Sequence, residues 1–165
     1  MKSLKLQAVM IDLDGTLVDT IGDFEVALNR ALADVGVPAA SRALIERSIG
    51  KGSEHLIRTV LAHQLARPDL SVPARDVAAL ATPVWERYEH HYLAINGEFS
   101  QLFPGVLEGL EQLKALGLPL ACLTNKPLSF TQPLLQAKGL VQYFDHVFGG
   151  DSFERKKIGR ASCRE

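Results

Sequence analysis

Between residues 20 and 95 the sequence offers no strand-like run, yet short apolar runs that end in polar residues stand on both sides of that block. This interruption limits the fold more than any other feature. Ahead of it, Ala8-Val9-Met10-Ile11 is a short apolar run ending at Asp12, the pattern of a buried strand. Asp14-Gly15-Thr16 follows at once with turn chemistry. Behind it, the apolar run at 118–123 ends at Thr124-Asn125-Lys126, and His146-Val147-Phe148 leads into Gly149-Gly150-Asp151.

The block itself reads as helices. Phe24, Ala27, Leu28, Ala31, Leu32 and Val35 form one apolar stripe, stopped by Gly36 and Pro38. A shorter helix over 43–49 ends at Gly50-Lys51-Gly52, and Ser53 is placed to cap the next, whose apolar face is Leu56, Ile57, Val60, Leu61 and Leu65. Pro68 and Pro73 punctuate a loop. A fourth helix carries Val77, Leu80, Ala81, Val84, Trp85, Tyr88 and Tyr92, with the aromatics as its core face. After the block, Pro104-Gly105 opens a helix with Val106, Leu107, Leu110, Leu113 and Leu116 inward, closed by Gly117. Another helix spans 128–138, with Pro133 tolerable only near its first turns.

Strand, helical block, then helix–strand–helix–strand is the signature of an α/β fold: a Rossmann-like parallel sheet core with an inserted all-helical cap. The expected division is a discontinuous core at 1–18 and 98–157 and a cap at 19–97. The last eight residues, 158–165, have neither periodicity nor turn logic and resemble a translated sequencing adapter, so the expectation is a non-native tail.

The 165 residues suit one domain with a modest insertion, and 47% hydrophobic against 22% charged residues suffices for a sizeable core. A net charge of −1 gives no electrostatic footprint for nucleic acid or an anionic membrane. Cys122 and Cys163 form neither a metal-ligand pattern nor a disulfide framework. Without a secretory h-region or a membrane-length apolar run, a cytoplasmic protein is expected.

Asp12 and Asp14 carry the chemistry. Residues two apart in an extended chain point the same way, and a turn at the strand's C-terminal edge lets both face the crevice where open α/β sheets bind ligands. Adjacent carboxylates repel, so the pair calls for a divalent cation or a shared proton; Mg²⁺ is a hard cation suited to a few carboxylate oxygens and a substrate phosphate. A carboxylate can also attack phosphorus, while a second one protonates the leaving alcohol and later activates water. Gly15 allows close approach of the backbone to a phosphate.

The stretch from Asp12 to Thr20, Asp-Leu-Asp-Gly-Thr-Leu-Val-Asp-Thr, resembles the first motif of haloacid-dehalogenase-like phosphatases. The resemblance implies Asp12 as nucleophile and metal ligand, and Asp14 as general acid/base with its backbone carbonyl on the metal. It implies Thr124 as the second-motif hydroxyl on the phosphoryl group, with Asn125 adding a contact. Lys157 matches the third-motif lysine, although Ile158 stands where the family usually has proline. The family's fourth motif, an acidic cluster that completes the Mg²⁺ site, has no counterpart here. The chain as given is therefore expected to bind Mg²⁺ poorly, to turn over little and to aggregate through an exposed sheet edge.

Ile49-Gly-Lys-Gly52 and Leu123-Thr-Asn-Lys-Pro127 are similar to bacterial phosphoglycolate phosphatases, and residues 20–36 lack the histidine of the mutase-like subgroup. This implies a small phosphate ester as substrate, with no nucleic acid or membrane partner, and a monomer or homodimer. Arg47 and Lys51 are candidates to meet a substrate carboxylate. A pyrophosphatase-like or sugar-phosphate enzyme, or a non-catalytic interaction module on the same fold, remain the alternatives.

Overall fold

The structure is a computed structural model that describes residues 6–67 and 76–154. Lys157, Cys163, the suspected tail and the Pro68–Pro73 loop lie outside the described residues. In chain order the elements are β1 (Val9–Ile11), β2 (Val18–Asp19), α1 (Ile21–Asp34), α2 (Arg42–Ser48), α3 (Ser53–Leu65), α4 (Val77–Ile95), β3 (Gln101–Leu102), α5 (Val106–Ala115), β4 (Leu120–Leu123), α6 (Leu128–Ala137), a 3₁₀ turn (Val141–Tyr143) and β5 (His146–Phe148). They form two compact units, one of Met1–Asp19 with Gln101–Glu165 and the other of Thr20–Ser100.

The first unit has the expected parallel α/β core. Its sheet runs in the order β1-β4-β5, with Ile11 beside Cys122 and Cys122 beside Val147. Central β4 is wholly apolar and the most buried strand of the sheet, because it has neighbours on both sides. Leu13, Leu17, Leu110, Leu120, Cys122 and Leu134 pack into one core, each large side chain contributing about 1.5–3 kcal/mol by its burial. A short antiparallel pair of β2 with β3 sets Val18 beside Leu102, an element the sequence reading did not contain.

One expectation for α5 fails. Leu110 is buried and Val106 and Leu113 are partly covered, but Leu107 and Leu116 are 41% and 68% exposed. At about 100° per residue, Val106, Leu110 and Leu113 share one narrow stripe and the other two leucines fall to either side of it. Pro133 lies inside α6 on its exposed face, in the second turn, within the first turns that the sequence reading allowed.

The second unit is all helical. Ser41 caps α2, its hydroxyl accepting from the Leu44 amide at 3.3 Å, and Asp76 caps α4 through the Ala78 amide at 3.0 Å. Ser53 is not the cap of α3: Gly52 takes that position at φ 92°, and Ser53 is the buried first helical residue. Only glycine adopts such a φ without strain. Tyr88 and Tyr92 are fully buried with ring centroids 5.4 Å apart, and Phe24 sits 5.7 Å from Tyr92, an aromatic core as expected. Asp23 is also fully buried and accepts from the amides of Gly97 at 3.0 Å and Phe99 at 2.8 Å. No helix among the described residues is long and apolar enough to cross a membrane.

Candidate active site

Strand β1 ends at Ile11, and the chain turns at once. The carbonyl of Leu13 accepts from the amides of Thr16, Leu17 and Val18 at 3.0–3.2 Å, and the Gly15 amide returns a 2.8 Å bond to Val18. Leu13 is fully buried, and its side chain anchors the turn in the core. Asp12 and Asp14 flank it and are both only partly covered, as the alternation of an extended chain requires. Gly15 takes φ 74°, and a Cβ built there would meet nothing within 4 Å. Its glycine is needed for the left-handed backbone that closes the turn, not for space.

The next loop lies at the C-terminal end of the neighbouring strand. Thr124 is 2% exposed; its amide donates to the Phe148 carbonyl at 3.0 Å and its hydroxyl oxygen accepts from the Lys126 amide at 3.2 Å. The Lys126 ammonium then crosses to the first loop and donates to Asp14 Oδ1 at 3.1 Å and Oδ2 at 3.4 Å. The lysine side chain is 1% exposed and that of Asp14 20%. Burying an ammonium is costly unless it is paired and hydrogen-bonded, and the Asp14 carboxylate meets that need.

The loop after β5 is tied to the same place. The Gly150 amide donates to the Lys126 carbonyl at 2.9 Å, and Asp151 Oδ1 accepts from the Leu128 amide at 3.0 Å at the start of α6. A Cβ at Gly150 would lie 2.2 Å from the Asn125 carbonyl oxygen, so at this point the two loops pack backbone against backbone. Of the candidate residues, Asp12, Asp14, Gly15, Thr124 and Asn125 therefore lie in loops at the C-terminal ends of two hydrogen-bonded parallel strands. Arg47 and Lys51 are exposed and belong to the helical unit.

Carboxylate oxygens at 12 and 14 are hard donors of the kind divalent cations take. The Asp14 carboxylate already holds the Lys126 ammonium. No group of three or more His, Cys, Asp or Glu side chains that could hold a metal occurs among the described residues. The donors described thus fit part of such a site.

The family model for haloacid dehalogenase-like hydrolases matches residues 6–161. The chain belongs to that family. Members of the haloacid dehalogenase-like phosphatases are generally metal-dependent. Phosphoglycolate phosphatase of Nitrosospira multiformis is 42% identical over 154 residues, covering 93% of this chain and 65% of that protein. The plasmid-borne phosphoglycolate phosphatase of Cupriavidus necator is 42% identical over 155 residues, covering 94% of this chain and 63% of that one. The chain thus spans less than two thirds of either relative. A solved structure of a predicted phosphoglycolate phosphatase from Haemophilus somnus 129PT superposes with a TM-score of 0.85 at 32% identity, covering 96% of this chain and 68% of that one.

Lys126 is the site residue that sequence reasoning missed. It was visible as part of Thr-Asn-Lys-Pro at a strand end, but a lysine there reads as solvated until the fold brings Asp14 to it.

Proposed function

We propose that the full-length protein is a Mg²⁺-dependent phosphatase that hydrolyses 2-phosphoglycolate to glycolate and phosphate. The observation that carries this reading is the Asp12–Asp14 turn standing beside the Thr124–Lys126 loop at adjacent strand ends. The names of the relatives, read with it, favour 2-phosphoglycolate over other small phosphate esters.

In this reading an Asp12 carboxylate oxygen attacks phosphorus, the bond from phosphorus to the ester oxygen breaks, and Asp14 delivers a proton to the departing glycolate. Water then gives a proton to Asp14 and attacks phosphorus, and the bond from phosphorus to Asp12 breaks, releasing phosphate and restoring the carboxylate. The Thr124 hydroxyl and the Asn125 backbone hold phosphoryl oxygens, and Lys157 offsets the charge that builds on them. The Asp12 carboxylate and the Asp14 backbone carbonyl would hold Mg²⁺, which would supply electrostatic neutralisation of the phosphoryl group. The protein works in the cytoplasm as a monomer or homodimer.

The test is Asp12→Asn in the full-length protein, assayed on a panel of small phosphate esters with Mg²⁺ and with chelator. Turnover of 2-phosphoglycolate should vanish with chelator and fall by orders of magnitude in the variant. Retained turnover in Asp12→Asn would remove the nucleophile assignment. Hydrolysis of other esters but not of 2-phosphoglycolate would remove the substrate.

A further inference from the structure

We propose that Lys126 is a positioning residue for Asp14, holding its carboxylate fixed and able to accept the proton of the water that releases phosphate from Asp12. The inference rests on the phosphatase reading above and adds a residue that reading does not use.

Three observations support it. First, the lysine is committed to the site: its side chain is 1% exposed and reaches both Asp14 oxygens, at 3.1 and 3.4 Å. A lysine with a long flexible stem ordinarily keeps its ammonium in water. Second, its backbone is fixed at several points. Its amide donates to the Thr124 hydroxyl oxygen at 3.2 Å, and its carbonyl accepts from the Gly150 amide at 2.9 Å and from the buried Thr131 hydroxyl at 3.2 Å. Pro127 follows as the N-cap of α6, so the chain direction after Lys126 is set as well. Third, an ammonium donating to both oxygens of one carboxylate restricts that side chain's rotation while leaving it a further lone pair for a water proton. Asp14 retains 20% exposure, which leaves room for that approach.

The two chemical steps make different demands. An aryl phosphate carries a leaving group that departs without a proton, so its first step needs Asp12 alone. Release of phosphate from Asp12 needs an aimed base whatever the substrate was. Losing Lys126 should therefore slow the second step selectively.

The experiment compares unsubstituted, Lys126→Met and Lys126→Arg full-length protein on p-nitrophenyl phosphate with Mg²⁺, together with acid-quench trapping of phosphoryl-protein. Lys126→Met should lower kcat about 10- to 100-fold, up to the lower limit of the roughly 10²–10⁴-fold that a general base supplies, since the base itself is kept. KM should fall in step, kcat/KM should stay within about threefold, and the trapped phosphoryl-protein should rise toward one per chain. Lys126→Arg, which keeps a buried cation, should recover most of kcat. If Lys126→Met does not fold, Lys126→Gln takes its place and should also accumulate phosphoryl-protein. A parallel loss of kcat and kcat/KM with no accumulation, or unchanged kinetics, overturns the inference and leaves the phosphatase reading standing. Absence of any phosphoryl-protein and turnover in the unsubstituted protein overturns both.

Discussion

Asp23, wholly buried in the first turn of α1, accepts from the backbone amide of Phe99 at 2.8 Å and from that of Gly97 at 3.0 Å. One carboxylate thus fastens the start of the helical unit to its end. Bonds to a charged acceptor contribute about 1.5–3 kcal/mol each, and amides left without one add a desolvation cost. Asp23→Ala should destabilise the protein by about 3 kcal/mol or more, and Asp23→Asn, with one acceptor oxygen, by roughly half as much. Chemical denaturation measures the loss. Hydrogen exchange should show it first at the Gly97 and Phe99 amides.

The neighbouring glycine makes an independent demand. A Cβ on Gly22 would stand 2.2 Å from the Phe99 carbonyl oxygen, a backbone atom that cannot swing away. Gly22→Ala should cost about 2 kcal/mol or more, at the upper part of the overpacking range. Gly109, inside α5, meets nothing within 4 Å. Gly109→Ala should instead stabilise by about 0.5–1 kcal/mol, the helix preference for alanine over glycine. Opposite shifts in the unfolding midpoint would confirm that contact, not glycine content, decides the sign.

Much of this architecture was legible in the sequence, and the exceptions share a cause. Strands β4 and β5 announce themselves as apolar runs, and Gly36, Gly117 and Gly139, all at positive φ, mark helix ends. The Asp12–Asp14 turn was legible because its chemistry is local. The β2–β3 pair was not, since two-residue strands carry no period and the whole helical unit separates Val18 from Leu102 in the sequence. Lys126 escaped for the same reason: its partner lies 112 positions away, and no local signal distinguishes a lysine that will be buried.

Asp151 shows a long-range constraint that can be measured. Its Oδ1 accepts from the Leu128 amide, so a residue after β5 caps α6 as an N-cap side chain would. Asp151→Ala should cost about 1 kcal/mol, as a lost cap does. Gly150→Ala should cost more, because its Cβ would press on the Asn125 carbonyl oxygen at 2.2 Å. In the full-length protein Gly150→Ala should also lower kcat/KM, since relief of that clash moves the backbone beside Thr124. An unfolding midpoint that drops with unchanged kinetics would separate the loop contact from the site.

Strand β1 gives the last prediction. Among the described residues it pairs with β4 alone, and Met10 in its middle is 70% exposed. A short, apolar strand with an open side presents unpaired backbone groups to other chains, which proteins ordinarily blunt with charge or cover with another element. The 165-residue chain should therefore self-associate on concentration. Met10→Lys should reduce that association, read as a lower weight-average mass in sedimentation, with little change in unfolding midpoint because the side chain it replaces is already in solvent. Equal association of both forms would place the contact elsewhere on the surface. In a full-length version, if the additional chain covers β1, the same substitution should instead cost about 1–3 kcal/mol, the penalty for forcing a polar group into a covered site.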